Sequence, residues 1–205
     1  MIDQLKEVFG PRCSGVKING ESENFLNQPN KKMKFCEAVN HSFEVPLRIV
    51  NENMICPGAR RALGFERNSG ELIAKISEHT EIPASYIQKT MQEVPAIPVQ
   101  INHLIMGITA KMEEDLAPDV YIVFTQPARI MQVIQALARQ KERPHLLPFS
   151  LHSICGSVFS KSYVENDILV SFGCPDSRAY GGVRDDEVVA GIPYTKVNHL
   201  LDVMR

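Results

Sequence analysis

Two short segments of the sequence place a cysteine directly before a proline and an arginine four residues after that cysteine. They are ICPGARRALGF, with Cys56 and Arg60, and GCPDSRAYGGV, with Cys174 and Arg178. Proline suits the first position of a helix, because its missing N–H costs nothing there. A cysteine just before it faces the free N–H groups and the positive end of the helix dipole, which favours the thiolate. Each turn is therefore predicted to carry a thiolate that binds metal or attacks an electrophile. The arginine beside it is predicted to bind a ligand such as a carboxylate, with plain surface exposure as the alternative.

Two further cysteines precede these turns at nearly equal distances. Cys36 of FCEAV lies 20 residues before Cys56, and Cys155 of ICGSV lies 19 residues before Cys174. A third match follows, because IPASYIQKTM and IPYTKVNHLL both place Ile-Pro before apolar residues at helical spacing. Three matches in the same order indicate an internally duplicated chain, with pseudo-repeats at about 1–97 and 105–205.

The duplication puts four cysteines at equivalent places in the two halves and leaves Cys13 without a counterpart. If the halves pack around a pseudo-twofold axis, the four thiolates converge. They would then form a four-cysteine site for a [4Fe–4S] cluster, or for zinc as the less favoured metal. The sequence has none of the closely spaced C-x₂-C pairs of common zinc sites, so the tertiary fold would have to assemble the ligands. Buried or separately reactive thiols are the alternative.

The elements that must position these cysteines are predicted from hydrophobic periodicity and capping signals. The clearest helix is PARIMQVIQALARQ, and the clearest strands are VQINHLIMGITA and DVYIVFTQ. Further helices are predicted at 2–9, 34–40, 57–63, 70–78, 83–92 and from 194, and further strands at 15–19, 45–50, 147–151 and 167–172. No Gly/Ser/Pro-rich linker separates the halves. The prediction is therefore one α/β (mixed α+β) domain over 1–205, whose two pseudo-equivalent halves share a mixed β-sheet core with flanking helices.

Composition narrows the class of protein. The 205 residues are 44% hydrophobic, and the formal net charge is −2, which gives no electrostatic case for nucleic acid or a membrane surface. No apolar run reaches the length of a membrane span, and the first ten residues lack a signal-peptide core. We therefore expect a cytoplasmic protein with reduced thiols. The oligomeric state, a homo-oligomer included, stays open.

Other chemical motifs are weaker. The six histidines form no HxxxH or HExxH pattern. His152 lies three residues before Cys155 and is a candidate base or ligand, although a core or surface histidine is the more common case. The segment GGVRDDE lacks the lysine and spacing of a phosphate loop, so its acidic residues are predicted to belong to a turn or a helix entry.

The ordered set FCEAV, CPGARRALGF and GCPDSR…DDEVVAGIPY resembles the domain-of-unknown-function family 169, described as uncharacterised ArCR proteins of archaea and bacteria, many of them anaerobes. The resemblance covers nearly the whole chain. It implies that Cys36, Cys56, Cys155 and Cys174 match the recurring cysteines of the family. It supplies no reaction, and the occurrence in anaerobes favours an oxygen-sensitive cluster.

Three hypotheses remain open from the sequence. The first is an iron–sulfur or zinc protein with a redox or small-molecule role and an unidentified redox partner. The second is a metal-free thiol-dependent enzyme or small-molecule binding protein that uses Cys56 or Cys174 beside its arginine. In the third, the cysteines are core residues of a structural or assembly protein. Whether the chain is an enzyme, and on which substrate, the sequence leaves undecided.

Overall fold

The β-strands of the described part of the chain pair in a single sheet. The structure, a computed structural model, describes residues 1–21, 27–65, 70–142, 145–146 and 152–204. The strands are β1 (Cys13–Ile18), β2 (Leu47–Val50), β3 (His103–Ile108), β4 (Val120–Thr125), β5 (His145–Leu146), β6 (Leu169–Ser171) and β7 (Val188–Pro193). Within the described residues their order is β2-β3-β1-β4-β7-β6-β5, and only β5 and β6 pair in parallel. The predicted mixed α/β fold is confirmed.

The strand order has the same succession on both sides of its centre. β1 and β4 lie side by side and antiparallel, with Cys13 opposite Val123. Outward from this pair come β3 and then β2 on one side, and β7 and then β6 on the other. β2 leads towards Cys56, and β6 leads to Cys174, so each Cys-Pro turn follows the corresponding strand of its side. The division of the chain into pseudo-repeats at about 1–97 and 105–205 stays a prediction. In the strand order, β3 lies on the same side of the centre as β1 and β2.

Helices cover both faces of the sheet. They are α1 (Ile2–Phe9), α2 (Phe35–Ser42), α3 (Pro57–Ala62), α4 (Gly70–Thr80), α5 (Ala84–Gln92), α6 (Pro127–Arg139), α7 (Lys161–Glu165), α8 (Pro175–Ala179) and α9 (Tyr194–Met204), with a π-helix at Ser153–Ser160. None of the helices in the described part of the chain is both long enough and apolar enough to cross a bilayer.

The alternation of side chains along the strands divides the core into two layers, as expected for a buried sheet. On β4, Ile122 and Phe124 face a hydrophobic cluster formed with α2, α3 and the π-helix. Tyr121 and Val123 face the other cluster, formed with α1, α6 and α9. Cys36 and Cys155 belong to the first cluster and Cys13 to the second, so the sheet separates Cys13 from the other cysteines.

The structure also differs from the sequence-based expectations. Strand β7 was not predicted, although VVAGIP is an apolar run of the length typical of a strand buried on both faces. The π-helix was not predicted either, and all eight of its residues are buried. The strand predicted at 147–151 lies outside the described residues. The acidic residues Asp185 and Asp186 form a turn before β7, as predicted.

Candidate functional site

The four cysteines that the paired sequence motifs single out line one cavity of about 410 Å³. Cys36 lies in the first turn of α2, and Cys155 lies in the π-helix. Cys56 and Cys174 hold the N-cap positions of α3 and α8. All four are free thiols. Cys36 and Cys155 are buried, whereas Cys56 and Cys174 are half-buried, so two of the sulfurs are more accessible from the cavity than the other two.

Both Cys-Pro turns have the local structure that the sequence predicts. Cys56 and Cys174 have extended backbone conformations, and the proline that follows each of them opens the helix. At the second turn, the Ser177 hydroxyl accepts the N–H of Cys174 at 2.8 Å and donates to the carbonyl of Cys174 at 2.8 Å. Because Ser177 is fully buried, these bonds fix the Cys174 backbone.

Residues from distant parts of the chain meet around the cavity. The rings of Phe35 in α2 and Phe159 in the π-helix lie 5.4 Å apart. The Cys36 thiol donates to the backbone carbonyl of Asp176 in α8 at 3.7 Å. The side chain of Asp176 forms an ion pair with Lys34 at 2.9 Å. The cavity is thus assembled from residues far apart in sequence.

The thiols differ in their affinity for protons. A hydrogen bond from the Cys155 thiol lowers the pKa of Cys56 from its ordinary 9.0 to about 7, against the opposing effect of burial. The N–H groups of Ala59 and Gly58 also face this sulfur and lower its pKa, although neither makes a full capping hydrogen bond. Donating that bond, together with burial, raises the pKa of Cys155. Burial and the neighbouring thiols raise the pKa of Cys36 to about 12.

The arrangement of these side chains bears on metal binding. In the described parts of the chain, no three His, Cys, Asp or Glu side chains stand ready as a metal-ligand group. A cysteine sulfur changes position by rotation about a single bond between staggered wells. Binding of a metal or cluster by the four thiols therefore requires side-chain rotation and loss of the protons that Cys36 and Cys155 hold.

His152 forms part of the same cavity wall. It is 6% exposed and packs against Gly58 so closely that a Cβ at position 58 would lie 2.0 Å from its Cδ2. Glycine is therefore required at this position, two residues after Cys56. Burial, with a contribution from the charge of Arg61, lowers the pKa of His152 from 6.5 to about 4, so the ring is neutral at pH 7.

We expect His152 to make the fold acid-sensitive. Between pH 6.5 and about 4 the unfolded chain binds a proton that the folded chain does not, so stability falls as the pH is lowered through this window. The loss approaches about 3 kcal/mol near pH 4. Urea unfolding at several pH values measures it, and His152→Gln should remove this component. His199→Gln, at an exposed ion pair with Glu142, is the matched control and should retain it. An equal pH dependence in wild type and His152→Gln would contradict the assignment.

The two predicted ligand-binding arginines lie outside the residues that line the cavity. Arg60 donates to the carbonyl of Met54 at 3.4 Å. Arg178 donates to the backbone carbonyls of Arg184 at 2.6 Å and Phe172 at 2.7 Å. These bonds favour a role for Arg178 in holding the chain around α8, and ligand binding by either arginine stays a prediction.

Sequence reasoning missed other cavity residues. Leu72, Lys75 and Ile76 of α4 contribute to the wall, yet nothing in their spacing connects them to the cysteine motifs. The pair α4–α5 has a small hydrophobic cluster of its own, with Leu72, Ile87 and Met91. Asp176 could have been found, because it lies inside the second Cys-Pro motif.

Comparisons with known proteins agree with the span of the motifs. A family model described as Uncharacterised ArCR, a domain of unknown function, matches residues 14–202. An uncharacterized protein of Methanocaldococcus jannaschii is 25% identical over 159 residues, which cover 74% of this chain and 66% of that protein. The chain thus spans just under two thirds of the length of this relative. The search of solved structures found no match.

Proposed function

The chain belongs to the family described as Uncharacterised ArCR, and from the cavity of four cysteines we propose that it binds a thiolate-ligated [4Fe–4S] cluster. Zinc is the alternative metal. The ligands would be Cys36, Cys56, Cys155 and Cys174. The role that follows is a redox or small-molecule reaction, since a bound cluster supplies one-electron transfer.

One observation carries this proposal: four cysteines from two distant parts of the chain line one cavity. Thiolate ligands favour iron–sulfur clusters or zinc over hard cations such as Mg²⁺ and Ca²⁺. The remaining cysteine, Cys13, is packed in the other hydrophobic layer. The thiols that share the cavity are thus the same four that the duplicated motifs single out.

The rest of the cavity suits such a group. Phe35, Leu72, Ile76 and Ile154 give it apolar walls, which limit access of water and so influence a reduction potential. The N–H groups of Gly58 and Ala59 lie near the Cys56 sulfur, and hydrogen bonds to cluster sulfurs also shift the potential. In this proposal the chain supplies the ligands, the apolar enclosure and these dipoles.

The test is purification of the full chain under anaerobic conditions, followed by iron, sulfide and zinc analysis and an absorption spectrum. We expect about four iron and four sulfide per chain after reconstitution, with charge-transfer absorption in the visible range. Stoichiometric zinc without sulfide would support the alternative metal. A colourless protein that takes up neither iron nor zinc would exclude both.

A second candidate function has its own observation, the place of Cys56 at the N-cap of α3, half-buried in the cavity wall. Interaction with the Cys155 thiol lowers the pKa of Cys56 to about 7, with a further lowering by the N–H groups of Ala59 and Gly58, and a lowered pKa favours the reactive thiolate. The sulfur also lines an apolar cavity with room for a small molecule. A metal-free thiol-dependent reaction at Cys56 is therefore the second candidate.

For the metal-free chain we expect alkylation of Cys56 by iodoacetamide to increase with pH around a midpoint near 7, because the thiolate is the reacting form. Cys155→Ala removes the donor and should move the midpoint upward, whereas Cys155→Ser retains a donor and should shift it less. Cys13, whose pKa burial raises to about 12, is the internal control. Mass spectrometry of the labelled peptides gives the rates. A midpoint at the ordinary thiol value would argue against this candidate.

A further inference from the structure

An arginine outside the cavity joins separate parts of the chain beside Cys36. One terminal nitrogen of Arg12 donates to the side-chain oxygen of Asn40 at 2.8 Å and to the backbone carbonyl of Gly182 at 2.8 Å. The other terminal nitrogen donates to the Glu187 carboxylate, in an ion pair of two largely buried side chains. Asn40 belongs to α2, whereas Gly182 and Glu187 lie between α8 and β7. Arg12 and its three partners are called the arginine clamp below.

The surroundings of the guanidinium fix its orientation. Its central carbon lies 4.7 Å from the ring centre of Phe124 in β4 and 5.2 Å from that of Phe43. The Glu187 carboxylate also accepts the N–H of Arg184 at 2.9 Å. An arginine stacked on aromatic rings presents a planar, pre-organised set of donors. The arginine clamp is therefore a rigid link between α2 and the segment before β7.

The segment that the arginine clamp holds packs directly on Cys36. A Cβ at position 181 would lie 2.6 Å from the Cβ of Cys36, and a Cβ at position 182 would lie 3.0 Å from both terminal atoms of Asn40. Cys36 and Asn40 are four residues apart in α2 and so lie on one face of that helix. Gly181 and Gly182 cover this face, which only glycine can do at so short a distance.

Cys36 needs such support to keep its place in the cavity wall. Its thiol donates one hydrogen bond, to the backbone carbonyl of Asp176 at 3.7 Å, and a thiol is a weak donor. A cysteine side chain rotates between staggered wells about a single bond. The packing of Gly181 against the Cβ therefore contributes to the position of the sulfur.

We propose that Arg12 is a positioning residue of the candidate site, which fixes Cys36 in the cavity wall by holding Gly181 and Gly182 against α2. The role of this residue in orienting a cluster ligand rests on the proposed function, whereas its effect on the thiol needs no metal. The bonds of the arginine clamp join α2 to the segment before β7 and not to the π-helix that carries Cys155. Its release should therefore free Cys36 more than Cys155, whereas loss of a purely stabilising contact would affect both equally.

The test follows alkylation of the metal-free full chain by iodoacetamide at fixed pH, with the rates at Cys36 and Cys155 taken from the labelled peptides. A hydrogen bond to a charged group shifts an equilibrium by about tenfold or more, so Asn40→Ala should raise the rate at Cys36 about tenfold relative to Cys155. Asn40→Asp retains an acceptor for Arg12 and should react like the wild type. His41→Ala, at the exposed next position of α2, is the matched control and should also react like the wild type.

A double variant separates the arginine clamp from the burial of charge. Arg12→Met alone leaves the Glu187 carboxylate without its cationic partner, which is strongly destabilising. Arg12→Met combined with Glu187→Met removes both charges, and such replacements are often neutral or stabilising. The urea midpoint of the double variant should stay close to that of the wild type, while Cys36 should still react about tenfold faster relative to Cys155.

Two results would overturn the proposal. They are an unchanged rate at Cys36 in both Asn40→Ala and the double variant, and an equal acceleration at Cys36 and Cys155. After reconstitution, Asn40→Ala should also lose iron to a chelator about tenfold faster than the wild type, and an equal rate would overturn the role in ligation. A wild-type chain that takes up no iron would exclude the cluster, and the alkylation rates would still decide the role of Arg12.

Discussion

After anaerobic reconstitution, each of the single variants Cys36→Ala, Cys56→Ala, Cys155→Ala and Cys174→Ala is expected to retain at most about one tenth of the wild-type iron. The reason is that each substitution removes one of the four thiolate ligands, and no spare cysteine lines the cavity. Iron and sulfide analysis and the visible spectrum measure the effect.

Cys13→Ala is the matched control for this series. Cys13 is 2% exposed and so more deeply buried than any of the four cavity cysteines, and it packs on the other face of the sheet. Its replacement should cost a comparable amount of stability and leave the iron content at the wild-type value. Full iron content in all four cavity variants would contradict the ligand set. Loss of iron in Cys13→Ala as well would indicate that unfolding, and not ligation, explains the series.

Gly191→Ala is expected to lower the free energy of unfolding by about 3 kcal/mol or more. Gly191 lies in β7 between Ile122 of β4 and Leu169 of β6. A Cβ at this position would lie 2.0 Å from the carbonyl oxygen of Val158 in the π-helix. Because that atom belongs to the backbone, the π-helix would have to move away from the sheet as a unit. Urea unfolding followed by circular dichroism measures the loss.

Gly20→Ala is the control for this prediction. Its Cβ would approach Leu116 Cδ1 at 2.7 Å and Lys17 Cγ at 2.8 Å, and both side chains can rotate away. We expect a cost below about 1 kcal/mol. Movement of the π-helix in Gly191→Ala should also expose Cys155 to alkylation. Equal unfolding midpoints for the two variants would contradict the close contact between β7 and the π-helix at Gly191.

Local sequence signals are sufficient to predict the helix starts that carry Cys56 and Cys174, the two half-buried thiols. Proline at the first helical position predicts the starts of α3 and α8, because it needs no hydrogen-bond acceptor there. Apolar residues at helical spacing predict α6, and β-branched residues predict β4. The nearly equal spacing of the two cysteine pairs in the sequence predicts that the four cysteines belong together.

Other features depend on tertiary packing and have no local signal. A π-helix has hydrogen bonds one residue longer than those of an α-helix, and burial of all of Ser153–Ser160 stabilises it where sequence periodicity cannot distinguish the two. Helix α4 brings Lys75 to the cavity. Its position depends on how the pair α4–α5, which has a small hydrophobic cluster of its own, packs on the rest of the chain. The close packing of Gly58 against His152 likewise joins segments far apart in the sequence.

The contact between Cys36 and Asp176 spans 140 positions of the chain, which has a consequence for biosynthesis. A ribosome that adds about 5–20 residues per second needs roughly 7–28 s to extend the chain from the first of these residues to the second. During that time Cys36 and Cys56 have left or are leaving the ribosome without Cys155, Cys174 and the walls that the second half supplies. Loading of the proposed cluster would therefore require the second half of the chain, and a product truncated before the π-helix carries only two of the four cavity cysteines.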